Sequence, residues 1–235
     1  MAKFKDMVCS LLFFLFVLLV LVDGRTIRMA SNKVIINPSV PRCGVPDHND
    51  DHNKLPHTTK HYTFLKGWPF WNRLMLNYAL SPEHIIDYIN ISDILAALER
   101  AFSTWSSVIP VNFRETQDYE HANIKIGFYY GDHGDGSPFD DMNLAHATGP
   151  RSGAFLHFNA AHTWAVDFSS EKSKDAYDLE TTALHEIGHL LGLDHSSNPE
   201  AVMWPYGPPR TKHVHLALDD VNGAHLLYGA NPNFK

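Results

Sequence analysis

His185 and His189 stand four residues apart in a stretch whose apolar residues Leu179, Ala183, Leu184, Ile187, Leu190 and Leu191 recur at helical spacing. On a helix that spacing puts both imidazoles on one face, one turn apart, so both can reach a single cation at roughly 2.0 to 2.1 Å. Glu186 is rotated enough to miss the ion yet reach a water bound to it, the position a general base requires. Gly192 lets the chain leave the helix in a conformation that is costly for other residues, and it returns His195 toward the same ion as a third ligand. Three protein ligands leave one coordination position open, which distinguishes a zinc that activates water from a closed structural one. Two histidines on a helix face would by themselves be read as satisfied polar residues; the added glycine and third histidine at fixed spacing make that reading fail.

These residues need a scaffold. Asp178 is placed to start the helix and Gly192 to stop it, giving a helix over Leu179 to Leu193. Ser92 with Asp93 reads as the N-cap of an earlier helix carrying Ile94, Leu95, Leu98, Phe102 and Trp105 at helical spacing, stopped by Pro110. Asn90, Ile91 and Ser92 also form a glycosylation sequon. Leu74, Leu76 and Tyr78 alternate with Met75 and Asn77 as a half-buried strand, ended by Pro82. Val111 to Phe113, Ile124 to Tyr130 and Trp164 to Phe168 read as further strands, with a glycine-studded, histidine-bearing loop from Gly131 to Gly153.

At 235 residues and 44% hydrophobic, the chain can bury one catalytic-sized core. A net charge of -7 with 19 basic residues gives no electrostatic basis for nucleic acid or an anionic membrane as partner. Lys3 and Lys5 precede the apolar run Leu11 to Val22, and Gly24 follows, the shape of a signal peptide over residues 1–24. The run is shorter than the roughly 20 residues a membrane span needs, so no stable membrane insertion is expected after its removal. Cys9 leaves with this leader, so Cys43 remains alone in an oxidising compartment, either buried and unreactive or paired with another molecule. Asp47 to Lys54 is too polar to build a core and reads as an exposed, protease-accessible linker.

The run His-Glu-x-x-His-x-x-Gly-x-x-His from His185 to His195, followed by Met203, resembles the metzincin signature. Pro41-Arg42-Cys43-Gly44-Val45-Pro46-Asp47 resembles the cysteine-switch motif of matrix metalloproteinases. The resemblance runs from Tyr62-Thr63-Phe64 to Leu227-Tyr228-Gly229, and the Asp178-Leu179-Glu180 lead-in is similar to the plant branch. It implies an α/β (α+β) metzincin-like catalytic domain over residues 62–235, a twisted mixed five-stranded sheet with three helices, behind a short propeptide over residues 25–61. It also implies a monomeric, secreted zinc endopeptidase, made as a latent zymogen and acting on proteins or peptides of the apoplast or extracellular matrix.

By the same resemblance, Cys43 as thiolate takes the fourth position on the catalytic zinc. His133, Asp135, His146 and His157 hold a second, structural zinc, and Met203 forms an apolar floor beneath the first. Pro205 and Tyr206 line a pocket for a bulky hydrophobic side chain just after the cut, and the substrate binds extended along an edge strand. Two departures stand out. Asp140 keeps the carboxylate of the family's calcium loop, but Asp141-Met142-Asn143 is short, and Asn159 and His162 occupy places where acidic ligands are expected, so calcium is poorly supported. The stretch between leader and Cys43 is shorter than the family's helical prodomain, and no hemopexin-like domain is expected after Gly229. These departures motivate a rival reading, a secreted non-enzymatic protein stabilised by zinc and acting by binding; such a protein has no need of Glu186 beside an open zinc.

Overall fold

The computed structural model describes residues 40–47 and 60–234. The expected leader, with Cys9, and residues 25–39 and 48–59 of the expected propeptide lie outside the described residues.

Alternation of side chains across strands builds the sheet. β2 (Met75–Leu80) buries Leu76 and Tyr78, β4 (Ile124–Tyr129) buries Ile124, Ile126 and Phe128, and β6 (Ala154–Asn159) buries Ala154, Leu156 and Phe158 in the main core. With β3 (Asn112–Glu115) and β5 (Ala145–Ala147) they form one five-stranded sheet in the order β3-β2-β4-β6-β5. All neighbours are parallel except β5, which runs antiparallel to β6, so the sheet is mixed as expected. Two short pairs complete the strands: β1 (Thr63–Phe64) with β9 (Leu193–Asp194), antiparallel, and β7 (Thr163–Ala165) with β8 (Ala176–Asp178), parallel.

Three helices are present among the described residues. α1 (Ile91–Val108) lays Ile94, Leu98, Phe102 and Trp105 into the core, where the Phe102 ring stacks on Tyr78 with centroids 4.2 Å apart. α2 (Leu179–Leu190) is buried along nearly its whole length, because α1 and the sheet cover it; the Trp105 indole N–H donates to the Leu184 carbonyl at 2.8 Å and fixes α1 against it. The Asp178 carboxylate caps α2 by accepting the Thr181 N–H at 2.8 Å, as read from the sequence. α3 (Leu218–Tyr228) closes the far side, with the Tyr228 hydroxyl donating to the Leu191 carbonyl at 2.7 Å.

The structure corrects the sequence reading in several places. α2 ends at Leu190 rather than Leu193, and Leu193 belongs to β9, because Gly192 turns the chain out of the helix. α1 begins two residues earlier, with Asn90 rather than Ser92 as N-cap: the Asn90 carbonyl already accepts from Asp93 and Ile94, and Ser92 lies inside the helix. The loop read from Gly131 to Gly153 contains β5, and β6 after it was missed. In β6 one face meets the core and the other face is also covered, so there is no apolar–polar alternation to betray a strand. The strand read at Trp164 to Phe168 is shorter and ends at Ala165.

Asp220 on α3 holds the turn that carries Met203. Its carboxylate is buried and accepts the N–H groups of Val202 at 2.8 Å, Met203 at 3.1 Å and Ala217 at 2.8 Å. Burial pushes this carboxyl up, and the three N–H donors oppose the shift. Asp220→Ala strands all three donors and is expected to lower stability by about 3 kcal/mol in urea denaturation. A loss under about 1 kcal/mol would show that these N–H groups find other partners.

Candidate active site and metal centres

Two groups of metal-capable side chains are present among the described residues: Cys43 with His185, His189 and His195, and His133 with Asp135, His146 and His157. In each group the candidate ligand atoms all lie within 4.8 Å of one another. Asp140 belongs to neither group.

In the first group, α2 supplies His185 and His189 one turn apart, and the chain reverses after Gly192 to bring back His195. Gly192 has φ +100°, and a Cβ there would stand 2.1 Å from the Pro69 carbonyl oxygen, so the position requires glycine. Each imidazole is oriented through Nδ1: His185 donates to the Val202 carbonyl at 2.7 Å, His189 to the Leu193 carbonyl at 2.9 Å, and His195 to the Asp47 carboxylate at 2.7 Å. A carbonyl or carboxylate can only accept, so each ring carries a proton on Nδ1, which leaves Nε2 as the nitrogen available to a metal. His185 Nε2 and His195 Nε2 are buried without a hydrogen-bond partner. Burial, together with the nearby His195, pushes His185 down to about 3, which keeps that ring neutral. Buried ring nitrogens converging on one point are the donor set of a zinc ion, and the residues present fit one.

Cys43 closes the group from the segment at residues 41–47, its Sγ 3.4 Å from His189 Nε2. Burial and then the Glu186 charge push its thiol well up, so a thiolate here needs a cation beside it. Glu186 is fully buried next to His185, and neither carboxylate oxygen has a hydrogen-bond partner. Burial pushes its carboxyl up to about 8, with the neighbouring Cys43 opposing in part. Beneath α2, Met203 is buried against Gly188, where a Cβ would stand 2.2 Å from the Met203 sulfur; glycine is what lets the helix and the turn approach this closely.

Residues 41–44 lie between two segments of the later chain. Arg42 N–H donates to the Met142 carbonyl at 2.8 Å, Leu144 N–H to the Arg42 carbonyl at 2.9 Å, and Gly44 N–H to the Ala145 carbonyl at 2.7 Å. On the other side Cys43 N–H donates to the Pro205 carbonyl at 2.9 Å and Gly207 N–H to the Pro41 carbonyl at 3.1 Å. Asp47, read from sequence as part of a solvated linker, instead bridges His195 and the Arg42 guanidinium, the latter at 2.9 Å. The hydrogen bond from His195 outweighs the opposing burial and, with Arg42, holds the Asp47 carboxyl down at about 2. The signal was available: Asp47 closes the Pro-Arg-Cys-Gly-Val-Pro-Asp motif.

In the second group, His146 and His157 come from β5 and β6 rather than from a loop, and they are directly paired across the two strands. His133 and Asp135 reach over from the preceding loop. Three ring nitrogens stand around one carboxylate oxygen, Asp135 Oδ2: His133 Nε2 at 2.9 Å, His146 Nε2 at 2.8 Å and His157 Nδ1 at 3.0 Å. Separations of this size are near the edge of a tetrahedron whose bonds are about 2.0 Å, so these residues too fit a closed zinc site. Burial opposes ionisation of Asp135, yet the Ser137 N–H and the His146 and His133 rings hold its carboxyl down at about 2. Burial pushes His157 down to about 3. Rings the sequence reading did not assign enclose the group: Phe155 stacks on His157 at 4.1 Å between centroids and Phe139 on His146 at 4.5 Å.

Residues 70–229 match the Matrixin family. Similar proteins include Metalloendoproteinase 1-MMP of Arabidopsis thaliana, 54% identical over 84% of this chain and 55% of its own length. Metalloendoproteinase 4-MMP of the same plant is 52% identical over 83% of this chain and 58% of its own length. Metalloendoproteinase 1 of Glycine max is 46% identical over 82% and 64%. A fold and a histidine constellation of this kind, matched at this level, mean that the chain belongs to the matrixin family, and the plant-type resemblance agrees with these relatives. The chain spans a little over half the length of the first two relatives.

Gly192→Ala combines a positive φ with a backbone clash and is expected to cost at least about 2 kcal/mol and to displace His195. Urea denaturation and zinc content measured together check this; an unchanged midpoint and full zinc would show that Pro69 gives way freely.

Proposed function

We propose that this chain is a secreted zinc endopeptidase of extracellular proteins, made latent by Cys43. The observation that carries the reading is the convergence of three Nδ1-anchored imidazoles and one thiol at a point beside the buried Glu186 carboxylate. The names of the relatives, metalloendoproteinases all three, support it. The proposed division is a leader over residues 1–24, a propeptide over residues 25–61 and a catalytic domain over residues 62–235.

His185, His189 and His195 would hold the catalytic zinc, and His133, Asp135, His146 and His157 the structural one. Zinc, when bound, supplies Lewis acidity that polarises a carbonyl and eases deprotonation of water. Glu186 takes the proton of the attacking water on a carboxylate oxygen and delivers it to the nitrogen of the leaving amine. The substrate backbone pairs with the segments at 142–145 and 205–207, the edges that residues 41–44 now occupy, while Pro205 and Tyr206 wall the pocket for an apolar side chain. Latency then has two parts: Cys43 fills the fourth ligand position, and residues 41–44 use up the backbone groups a substrate needs.

The test is hydrolysis of a generic fluorogenic peptide by zinc-loaded protein, with and without the residues before Tyr62. Activity is expected after their removal, whereas the uncut Cys43→Ser variant should stay well below the shortened protein, because residues 41–44 still occupy both groove edges. Glu186→Gln in the shortened protein should keep its zinc and lose turnover by about a hundredfold or more; near-full activity in that variant would sink the mechanism. No hydrolysis from folded, zinc-loaded protein of either length would favour the zinc-stabilised binding protein instead.

A further inference from the structure

The family implies a calcium ion around Asp140, and the residues there do not fit one. Calcium needs oxygen donors turned inward, carboxylates above all. Asp140 is exposed, and its Oδ1 is already engaged in a local turn, accepting the N–H groups of Met142 at 2.8 Å and Asn143 at 3.0 Å. The two backbone carbonyls of the turn that point inward, those of Asp140 and Asn143, meet hydrogen-bond donors. The buried Asn159 side chain donates from Nδ2 to the Asp140 carbonyl at 2.9 Å and to the Asn143 carbonyl at 2.8 Å. Its amide cannot be turned the other way without loss, because Oδ1 accepts the Ala161 N–H at 3.0 Å, and a backbone N–H can only donate. His162 adds a third donor, its Nε2 standing 3.1 Å from the Asn143 carbonyl, where the ring must carry its proton on that nitrogen.

We propose that Asn159 and His162 take the place of the calcium ion in this chain, bracing residues 140–144 by direct N–H donation and making the groove edge independent of calcium. A divalent cation and a set of N–H groups solve the same electrostatic problem: both present positive charge to inward-facing carbonyl oxygens that burial would otherwise leave unpaired. They are mutually exclusive at one place, since an amide nitrogen and a protonated ring nitrogen cannot ligate a cation. The braced segment carries the edge described above. Met142 and Leu144 pair with Arg42, Ala145 pairs with Gly44, and Asn159 N–H itself donates to the Leu144 carbonyl at 2.9 Å. Asn159 therefore fixes both the turn and the strand edge from one residue on β6. This inference stands apart from the peptidase reading, because it concerns the stability of the folded chain.

The experiment uses the full chain loaded with zinc after calcium has been stripped from protein and buffer. Thermal unfolding is followed with and without about 10 mM calcium chloride, enough to fill a weak site of the extracellular kind. Wild-type protein is expected to shift by less than about 1 °C. Asn159→Asp removes both donors and turns a carboxylate oxygen onto two carbonyls; its midpoint should fall by about 4 °C or more without calcium and recover when calcium is added. Should that variant fold only with calcium, the same conclusion holds. His162→Ala, which removes one donor at the rim, should show a smaller fall that calcium does not restore. The proposal is overturned if calcium raises the wild-type midpoint by about 3 °C or more and Asp140→Ala abolishes the rise. It is equally overturned if Asn159→Asp, without calcium, is as stable as wild type.

Discussion

The rest of the molecule is arranged around the fixing of three imidazole rings through Nδ1. A histidine is a metal ligand only if its free nitrogen is unprotonated and aimed, and both conditions are set by what the other nitrogen touches. Here those partners come from three different places: the Met203 turn supplies the Val202 carbonyl, the exit from α2 supplies the Leu193 carbonyl, and the segment bearing Cys43 supplies Asp47. Each place is itself held by something further off. Asp220 on α3 anchors the turn, Gly192 permits the exit, and the pairing of residues 41–44 with both groove edges delivers Asp47. A buried ring nitrogen without a partner is costly, and His185 and His195 each carry one, a cost that a bound cation would relieve.

Asp47 adds an asymmetry among the three rings. His185 and His189 are oriented by carbonyls of the later chain, whereas His195 leans on a carboxylate from the segment that bears Cys43. The segment carrying Cys43 thus touches the histidine group twice, through Cys43 beside His189 and through Asp47 behind His195. Its Arg42 guanidinium lies over the Tyr206 ring at 5.5 Å while pairing with Asp47, so one short stretch is tied to Tyr206 and to the histidine group together.

β6 shows how a single strand can serve two sites. Its inward residues Leu156 and Phe158 build the core, and its other face carries His157 in the second histidine group and, two residues on, Asn159 beneath the groove edge. The strand period of two makes that division automatic. The turn at 140–143 is thereby anchored to an interior strand of the sheet, and on the proposal above its carbonyls are held without an ion.

By itself the sequence determined the helix that carries His185, Glu186 and His189, its Asp178 cap and the return of His195, because helical period, capping chemistry and glycine at positive φ are local properties of the chain. The core positions of α1 were legible for the same reason, although its cap was misplaced by two residues where Asn90 and Ser92 offered similar chemistry. The membership of His133, Asp135, His146 and His157 in one group came from resemblance to a family, not from spacing. Only the tertiary structure decided that His146 and His157 sit on paired strands, since β6 is covered on both faces and its pattern hides its period. It alone turned Asp47 from linker into the partner of His195, and Asn159 from a missing carboxylate into a donor to two carbonyls. Those roles depend on contacts between residues far apart in the chain, and no local periodicity records which distant carbonyl or ring a side chain will meet.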